Sequence, residues 1–479
     1  MNKLQADVAI IGFGSAGMSA YRAASDHTKR IVVIQAGPLG TTCARVGCMP
    51  SKLLIAAADS AHAIAQAPLF GVHAGPVRVD GEAVMRRVRA ERDRFVGFVL
   101  DTVKAWPAEQ RLQGHARFVS PHELVVDDHT HVTAARVVIA TGSSPSIPPG
   151  WREALGDRLI TNEELFDWTT LPESLAVVGG GVVGLELAQA LTRLGVRVKL
   201  FSKGPKLGPL TDPAVSAEVL GILSSEMSVT TLAEVTQVQR QGEQAQLRYR
   251  VQGTEHAETF DQVLVASGRH PNLSSLNLAA TGVVLNDKGL PAFDIETGQI
   301  GDSHLFIAGD VSNAHPLLHE AADDGKIAGD NAGRFPDVRV HPRRAPLAVV
   351  FTDPQMMIAG ASFQSLQASG QEFEVGAVHF DDQGRSRVSG QNRGLLHVYG
   401  ERHTGRFLGA EMVGPAAEHI AHLLSWSVQH HLTVQQMLDS PFYHPVIEEG
   451  VRTALRELNR RLRMGPVPVA RCMDCGPGA

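Results

Sequence analysis

The amino-acid sequence predicts an α/β protein with two Rossmann-like units followed by a C-terminal α+β domain. Three observations support this fold class. A glycine-rich turn between an apolar strand and a helical pattern occurs near the N-terminus, and the same arrangement recurs from residue 174. Beyond residue 343 the pattern changes to short strands separated by turns. Strands alternating with helices are typical of parallel sheets, whereas consecutive short strands are typical of antiparallel sheets.

The two glycine-rich turns share the spacing G-x-G-x-x-G. The glycines are Gly12, Gly14 and Gly17 in the first unit and Gly179, Gly181 and Gly184 in the second. Each unit continues into a second strand that ends 23 residues after its first glycine, at Gln35 and at Ser202. Such glycines permit a tight turn and a close backbone approach to a pyrophosphate, which the helix N-terminus stabilises. Two copies, each in a βαβ context, therefore predict two dinucleotide sites.

Further strands and helices are predicted downstream. Apolar runs indicate strands at 137–145, 263–272 and 305–312, the last ending near Asp310. An antiparallel sheet is predicted from the segments 346–354, 374–380, 394–400 and 405–414. Helical patterns cover 418–431 and 446–462, and we expect the second helix to begin directly after Pro445.

Composition narrows the class of protein. The chain of 479 residues has 44 Lys and Arg against 50 Asp and Glu, which gives a net charge of −6 and no support for a nucleic-acid or membrane partner. No apolar run suggests a membrane span, and the N-terminus lacks the features of a signal peptide. We expect a cytosolic location. There, the four cysteines in two tight pairs favour redox or metal chemistry over structural disulfides.

The first cysteine pair is Cys43 and Cys48 in GTTCARVGCMPSKLL (40–54). Pro50 and Ser51 open a helical pattern, so one cysteine is expected near a helix N-terminus, where the dipole lowers the pKa of a thiol. Its partner can form a small-ring disulfide. Zinc is the competing hypothesis, but two cysteines five residues apart without a nearby histidine make a poor half-site.

Together, the two fingerprints and GTTCARVGCMPSK resemble the flavin-dependent pyridine nucleotide–disulfide oxidoreductases. The resemblance extends from about residue 5 to about 463. It is strongest to dihydrolipoamide dehydrogenases, notably in the segments 317–329, 349–355 and 404–415. It implies an FAD-binding domain at 1–148 and 272–340, an NAD(P)-binding domain at 149–271 and a dimerisation domain at 341–465. Residues 466–479 are expected to form a flexible tail.

The resemblance also implies roles for individual residues. Cys48 would be the flavin-side thiol and Cys43 the thiol that meets substrate. Lys52 would lie near the flavin and pair with Glu186; the alternative is an ordinary surface ion pair. The FAD-binding residues would be Gly12, Gly14, Gly17, Gln35, Thr42, Lys52, Thr141, Gly142 and Asp310. The NAD(P)-binding residues would be Gly179, Gly181, Gly184, Ser202, Lys203 and Gly268.

An acid–base pair is predicted in SPFYHPVIEEG (440–450). Members of the family carry a His-Pro here, and His444 would move the substrate thiol's proton while Glu449 orients the imidazole. Glu448 is the rival orienting residue, at a spacing of four. In the family this histidine reaches the disulfide of the other subunit, which implies a homodimer.

The sequence departs from the family at three positions. Gln35 replaces the acid that usually meets the FAD ribose. Ser202, followed by Lys203 and Lys206, stands where an acid would favour NAD; a hydroxyl with nearby cations better suits a 2′-phosphate, so NAD and NADP both stay open. Phe442 replaces the first histidine of the usual HxHP sequence.

The second cysteine pair, Cys472 and Cys475, lies in the tail ARCMDCGPGA (470–479). Arg471 would favour a thiolate at Cys472, and Asp474 would oppose one. A bystander tail, a redox relay and a soft-metal site are the three hypotheses.

The function predicted is oxidation of dihydrolipoyl groups through the Cys43–Cys48 disulfide and FAD to NAD(P)+. One alternative is an NADPH-dependent disulfide or metal reductase that resembles thioredoxin reductase or mercuric reductase and uses the tail cysteines. Another is a non-catalytic flavoprotein subunit, against which the intact cysteine, histidine and glutamate set argues.

Overall fold

The computed structural model describes residues 2–463. In this part of the chain the strands are β1 (Asn2–Ile11), β2 (Ile31–Gln35), β3 (Arg111–Gln113), β4 (Ala116–Ser120), β5 (Glu123–Val126), β6 (Thr130–Ile139), β7 (Ser143–Pro145), β8 (Leu159–Ile160), β9 (Ser174–Val178), β10 (Arg197–Phe201), β11 (Ser228–Thr230), β12 (Ala233–Gln241), β13 (Gln244–Val251), β14 (Thr254–Phe260), β15 (Gln262–Val265), β16 (Arg269–Pro271), β17 (Leu305–Ile307), β18 (Leu347–Val350), β19 (Gln355–Gly360), β20 (Phe373–His379), β21 (Leu395–Glu401) and β22 (Phe407–Gly414).

The α-helices of the same residues are α1 (Ser15–Ala24), α2 (Thr42–Val46), α3 (Cys48–Gln66), α4 (Gly81–Lys104), α5 (Trp151–Leu155), α6 (Asn162–Leu165), α7 (Val182–Arg193), α8 (Pro213–Glu226), α9 (Leu318–Arg334), α10 (Phe363–Ser369), α11 (Gly384–Ser389), α12 (Ala417–Gln429), α13 (Val434–Leu438) and α14 (Glu449–Leu462). The predicted fold class, two Rossmann-like units and a C-terminal α+β domain, is confirmed.

The first sheet is built around β1. It pairs in parallel with β2 on one side and with β6 on the other, and β17 pairs in parallel with β6. The first four residues of β2 are all buried, as expected of a strand covered on both faces. Because β17 follows the second unit in sequence yet joins the first sheet, Asp310 lies close to the turn that follows β6.

Helices α1 and α9 pack so closely that their backbones touch. A Cβ atom at Gly325 would lie 2.1 Å from the Ala16 carbonyl oxygen, and one at Gly329 would lie 2.3 Å from that of Ala20. These separations are far below van der Waals contact, so only glycine fits. Helix α9 thereby supports the helix that carries the first glycine-rich turn.

The second sheet repeats this arrangement around β9. Strands β10 and β15 flank β9, β11 and β8 extend the sheet, and all the pairings are parallel. Helix α7 follows β9 directly. The sequence analysis did not predict the antiparallel sheet of β12, β13 and β14 between β11 and β15. The two connections between the units pair with each other, as β7 with β16.

The C-terminal domain is an antiparallel sheet in the order β18-β19-β22-β21-β20, against which α12 and α14 pack. The predicted antiparallel sheet is present, and β19 is an additional strand. The expected start of the last helix was wrong, since α14 begins at Glu449 and not after Pro445. Residues 445–448 instead form a turn in which the N–H of Val446 donates to the Glu449 carboxylate.

One helical stretch, Thr42–Phe70, has the length and composition of a membrane-spanning helix, with a mean hydropathy of 1.3. No membrane span was predicted from the sequence, and the stretch has this composition because its alanine-rich middle carries few charges. Leu54 and Ala58 of α3 lie in the protein core and Lys52 is ion-paired, while 11% of the most apolar window of the stretch is buried.

The α1–α9 contact gives a first prediction. Gly329→Ala should lower the free energy of unfolding by about 1–3 kcal/mol, because the methyl group must push the two backbones apart. Chemical denaturation measures the change. The control is Gly221→Ala in α8, where a Cβ meets no atom within 4 Å and stability should rise by up to about 1 kcal/mol. Equal effects of the two substitutions would contradict the backbone contact.

Candidate active site

The first cysteine pair sits on two consecutive helices. Cys43 is in the first turn of α2, which Thr41 caps by accepting the N–H of Ala44. Cys48 is the first residue of α3, separated from α2 by Gly47 alone. Both are thiols in the structure, Cys43 half-buried and Cys48 exposed. Cys48 therefore occupies the helix N-terminus, where backbone N–H groups and the dipole favour a negative charge.

The two thiols differ strongly in acidity. A hydrogen bond from the Cys43 thiol is the main cause that lowers the pKa of Cys48, and the charge of Lys52 lowers it further, to about 7. The same hydrogen bond, together with burial, raises the pKa of Cys43. In the dithiol form, Cys48 is thus the thiolate and Cys43 the proton donor to it. This polarity agrees with the roles that the family resemblance implies.

Lys52 lies one helical turn beyond Cys48 and is held by a buried acid. Its Nζ donates to Glu186 Oε2 at 2.7 Å, and the Glu186 side chain is only 6% exposed. The ion pair joins α3 to α7, the helix that follows the second glycine-rich turn. The structure therefore brings Cys43, Cys48, Lys52 and Glu186 together.

Phe351, which the sequence analysis did not single out, completes this cluster. Its backbone N–H donates to Glu186 Oε1 at 2.9 Å. Its ring lies under Lys52, with Nζ 4.4 Å from the ring centroid, as in a cation–π contact. The segment 349–355 had carried part of the family resemblance, which was the one available signal.

The second predicted pair, His444 and Glu449, is also in contact. The imidazole Nδ1 lies 3.0 Å from Glu449 Oε2 and 3.1 Å from Oε1. Of the two acids considered, Glu449 contacts the ring, while Glu448 is the residue before α14 and its side chain makes no capping hydrogen bond to the helix. Glu449 is buried, His444 is half exposed, and Arg452 donates to the same carboxylate. Since a carboxylate only accepts, the contact selects the tautomer of the neutral imidazole in which Nδ1 carries the proton and Nε2 presents a lone pair.

Both glycine-rich turns have the shape that a dinucleotide requires. A Cβ at Gly12 (φ +115°) would lie 2.3 Å from the Ala140 carbonyl oxygen, and one at Gly17 would lie 1.8 Å from that of Gly12. A Cβ at Gly14, in contrast, meets nothing within 4 Å, so this backbone is open to a ligand. Gly179, Gly184 and Gly181 repeat these three properties in the second unit. The turns therefore fit a pyrophosphate at each helix N-terminus.

The remaining residues predicted for FAD line the same edge of the first sheet. Gln35 fixes the turn itself, because its Oε1 accepts the N–H of Phe13 at 2.7 Å. The Thr141 hydroxyl donates a hydrogen bond to the Asn272 carbonyl oxygen. Gly142 has a φ of +69°, and a Cβ at this position would meet no atom within 4 Å. Thr42 is exposed at the start of α2. The Asp310 carboxylate accepts a hydrogen bond from the Ser143 hydroxyl, and this hydroxyl accepts one from the Arg269 guanidinium. The sequence did not reveal this link.

After β10, the three residues predicted to select the nucleotide differ in their exposure to solvent. Ser202 is buried and its hydroxyl donates to the Gly204 carbonyl at 3.1 Å, so it shapes the loop and does not face outward. Lys203 and Lys206 are exposed. Gly268, with a φ of +113°, is open on the facing turn. The Cys472–Cys475 pair of the tail lies outside the described residues.

Comparison with known proteins defines the class. Residues 6–325 match the model of the pyridine nucleotide-disulphide oxidoreductases, and residues 347–455 match the dimerisation domain of the same family. A mercuric reductase of Shigella flexneri is 32% identical over 472 residues, covering 95% of this chain and 81% of that protein. A dihydrolipoyl dehydrogenase of Chlamydia pneumoniae is 28% identical over 468 residues, covering 96% and 98%.

Solved structures show the same fold. LpdA of Mycobacterium tuberculosis gives a TM-score of 0.81 at 24% identity, covering 97% of this chain and all of that one. RclA, an HOCl-induced flavoprotein disulfide reductase of Escherichia coli, gives 0.79 at 22% identity, covering 94% and 99%.

The chain belongs to the pyridine nucleotide–disulfide oxidoreductase family and is a flavoprotein disulfide oxidoreductase. The family uses FAD and NAD(P)H, and the two open glycine turns fit these cofactors. The matching dimerisation domain makes the protein a homodimer.

The polarity of the cysteine pair gives a second prediction. In the reduced enzyme, alkylation of Cys48 by iodoacetamide should rise with pH around a midpoint of about 7, so that roughly a tenth of Cys48 is thiolate at pH 6. Cys43→Ala removes the main hydrogen bond and should move this midpoint upward. Peptide mass spectrometry separates the two cysteines. A Cys48 midpoint near that of an ordinary thiol, about 8.5, would contradict the assigned polarity.

Proposed function

We propose that the protein oxidises dihydrolipoyl groups and transfers two electrons to NAD(P)+. The polarised Cys43–Cys48 pair beside Lys52 is the observation that carries this proposal, because it suits reversible dithiol–disulfide exchange. The oriented His444 supplies the base that such a substrate needs. The likeness to a dihydrolipoyl dehydrogenase over nearly the full length of both chains supports the substrate class.

In the proposed reaction the enzyme starts with a Cys43–Cys48 disulfide. His444 Nε2 accepts the proton of one substrate thiol, and the resulting thiolate attacks Cys43 Sγ. The disulfide bond breaks and Cys48 leaves as a thiolate. The imidazolium releases this first proton to solvent, Nε2 accepts the proton of the second substrate thiol, and the new thiolate attacks the substrate sulfur of the mixed disulfide. Cys43 leaves and takes the proton from the imidazolium, the substrate becomes a cyclic disulfide, and two electrons remain on the cysteine pair.

Residues of the chain prepare each step of this exchange. Glu449 fixes the imidazole tautomer, which keeps Nε2 available as the base. The helix N-terminus and Lys52 stabilise Cys48 as the leaving thiolate. FAD, when bound, supplies electron transfer between Cys48 and the nicotinamide nucleotide. By family resemblance His444 would serve the cysteine pair of the other subunit, so each dimer would hold two shared sites.

Removal of the base gives the test of this function. His444→Gln should lower kcat/KM for dihydrolipoamide oxidation by about 10²–10⁴-fold, since proton transfer by a positioned side chain contributes this much. FAD content should not change. His403→Gln, which alters an exposed histidine, is the matched control. Turnover of dihydrolipoamide by His444→Gln at the wild-type rate would refute the proposal.

A second candidate function is that of an NADPH-dependent metal reductase. The similarity of the chain to the mercuric reductase of Shigella flexneri supports this candidate. Phe442, in the place of the first histidine of HxHP, also marks a departure from dihydrolipoamide dehydrogenases. NADPH oxidation with Hg(II), and its loss in a Cys472→Ser/Cys475→Ser variant, would favour this candidate. Dihydrolipoamide turnover that the tail variant leaves unchanged would favour the first.

For the nucleotide, we propose that NADP(H) is preferred. The exposed Lys203 and Lys206 follow β10, where an acid would otherwise select NAD. Exchange of both to glutamate should shift the kcat/KM ratio of NADPH to NADH by about tenfold or more toward NADH, because charge-assisted hydrogen bonds to the 2′-phosphate are lost. Lys288→Glu, at another exposed lysine, is the control. An unchanged ratio would remove the two lysines from nucleotide selection.

A further inference from the structure

Helix α7 presents a row of three polar side chains that the proposed reaction uses only in part. We name Glu186, Gln189 and Arg193 the α7 seam, since their spacing of three and four residues places them on one helix face. Glu186 and Gln189 are buried, and the Arg193 side chain is only 4% exposed. Glu186 holds Lys52. The other two seam residues lie further along the helix, away from the cysteines.

Gln189 and Arg193 bind the loop that contains Phe351. Gln189 Oε1 accepts the N–H of Asp353 at 2.8 Å, and Gln189 Nε2 donates to the Asp353 carbonyl at 2.7 Å. Arg193 forms an ion pair with the Asp353 carboxylate at 2.9 Å. Asp353 is therefore bound through its backbone on both sides and through its side chain. Two residues earlier, Phe351 donates to Glu186 and supports Lys52.

The seam also binds the helix that carries Cys48. Lys52 pairs with Glu186, and Asp59 pairs with Arg193 at 3.2 Å. Asp59 lies seven residues after Lys52 in α3, and Arg193 lies seven residues after Glu186 in α7. The two helices therefore run in the same direction and stay in register for about two turns. The Asp59 side chain is 55% exposed, so this pair contributes little by itself. The contacts to the Asp353 backbone are less exposed. Gln189 and Arg193 also bind Glu226 of α8, since Gln189 Nε2 donates to Glu226 Oε2 at 2.8 Å and Arg193 forms an ion pair with the same carboxylate, whose side chain is 17% exposed.

We propose that Gln189 and Arg193 are positioning residues, which hold Lys52 beside Cys48 by fixing the 351–353 loop. This rests on the proposed role of Cys48 as thiolate and not on the identity of the dithiol. Lys52 has a long flexible stem, and an ammonium group acts on a thiolate only while it stays near. If the loop is released, Phe351 no longer supports Glu186 and Lys52, and the thiolate loses part of its stabilisation.

The test uses a substitution without a change of charge. Gln189→Met removes the hydrogen bonds to Asp353 and to Glu226 but keeps a side chain of similar length. In the reduced FAD-containing enzyme it should raise the pH midpoint of the Cys48 thiolate, followed by the charge-transfer absorbance of this thiolate with the flavin, by roughly 0.5–1 pH unit, which is about three- to tenfold less thiolate below the midpoint. Lys52→Met is the reference variant and should raise the midpoint at least as much. Arg193→Gln is the second variant, should Gln189→Met fail to fold.

A matched control separates positioning from general loosening of the fold. Asn331 in α9 is equally buried and also holds loop backbone, by donating to the Thr297 and Arg339 carbonyls. Asn331→Leu should therefore destabilise the protein without moving the Cys48 midpoint.

Asp59→Asn adds a test of sign. Removal of this negative charge would lower the Cys48 midpoint by a direct charge effect, whereas loss of a helix contact would leave it unchanged or raise it. Arg193→Gln raises the Cys48 midpoint whether it acts through lost charge or through a lost contact. A lower Cys48 midpoint in Asp59→Asn would therefore show that charge explains the effect of Arg193→Gln.

The outcomes are distinguishable. A wild-type midpoint near that of an ordinary thiol would contradict the thiolate role itself. A low wild-type midpoint that rises in Lys52→Met but not in Gln189→Met or Arg193→Gln would overturn the positioning role alone. A rise in the Asn331→Leu control equal to that in Gln189→Met would also overturn it, because the effect would then follow from destabilisation.

Discussion

The buried carboxylate of Glu186 is the point at which three parts of the chain meet. One oxygen accepts a hydrogen bond from Lys52 of the redox helix, and the other accepts one from the backbone N–H of Phe351, which belongs to the dimerisation domain. Glu186 itself belongs to the helix that follows the second glycine-rich turn. Removal of Lys52 would be destabilising, because the buried Glu186 charge would lose its cationic partner. The relative placement of cysteines, flavin-binding unit and nucleotide-binding unit therefore depends on this contact.

Local rules explain how much of this site the sequence could predict. The glycine spacings predict two dinucleotide turns because the steric demand at Gly12 and Gly17 arises within one βαβ unit. The cysteine at a helix start is equally local. His444 and Glu449 are also close in sequence, but their pairing, and the preference for Glu449 over Glu448, came from the family resemblance. These features need no knowledge of distant segments, and the structure shows the expected turns, helix start and hydrogen bond.

The features that the sequence did not reveal depend on distant contacts or on weak local signals. Phe351 and Gln189 act on residues more than a hundred positions away, so no spacing rule indicates them. Strand β19 (QMMIAG) has a single β-branched residue, Ile358, and no alternation of apolar and polar residues, and it forms because β18 and β22 flank it. Pro445 matched a helix-start rule, but the turn that brings Glu449 to His444 delays the helix.

The central claim is that Cys43 and Cys48 exchange electrons with the bound flavin, and an anaerobic reductive titration tests it most directly. In a Cys472→Ser/Cys475→Ser background, we predict uptake of about four electrons per subunit, two by the flavin and two by the disulfide. A further Cys48→Ser substitution should reduce the uptake to about two. Uptake that does not change when Cys48 is replaced would contradict the account.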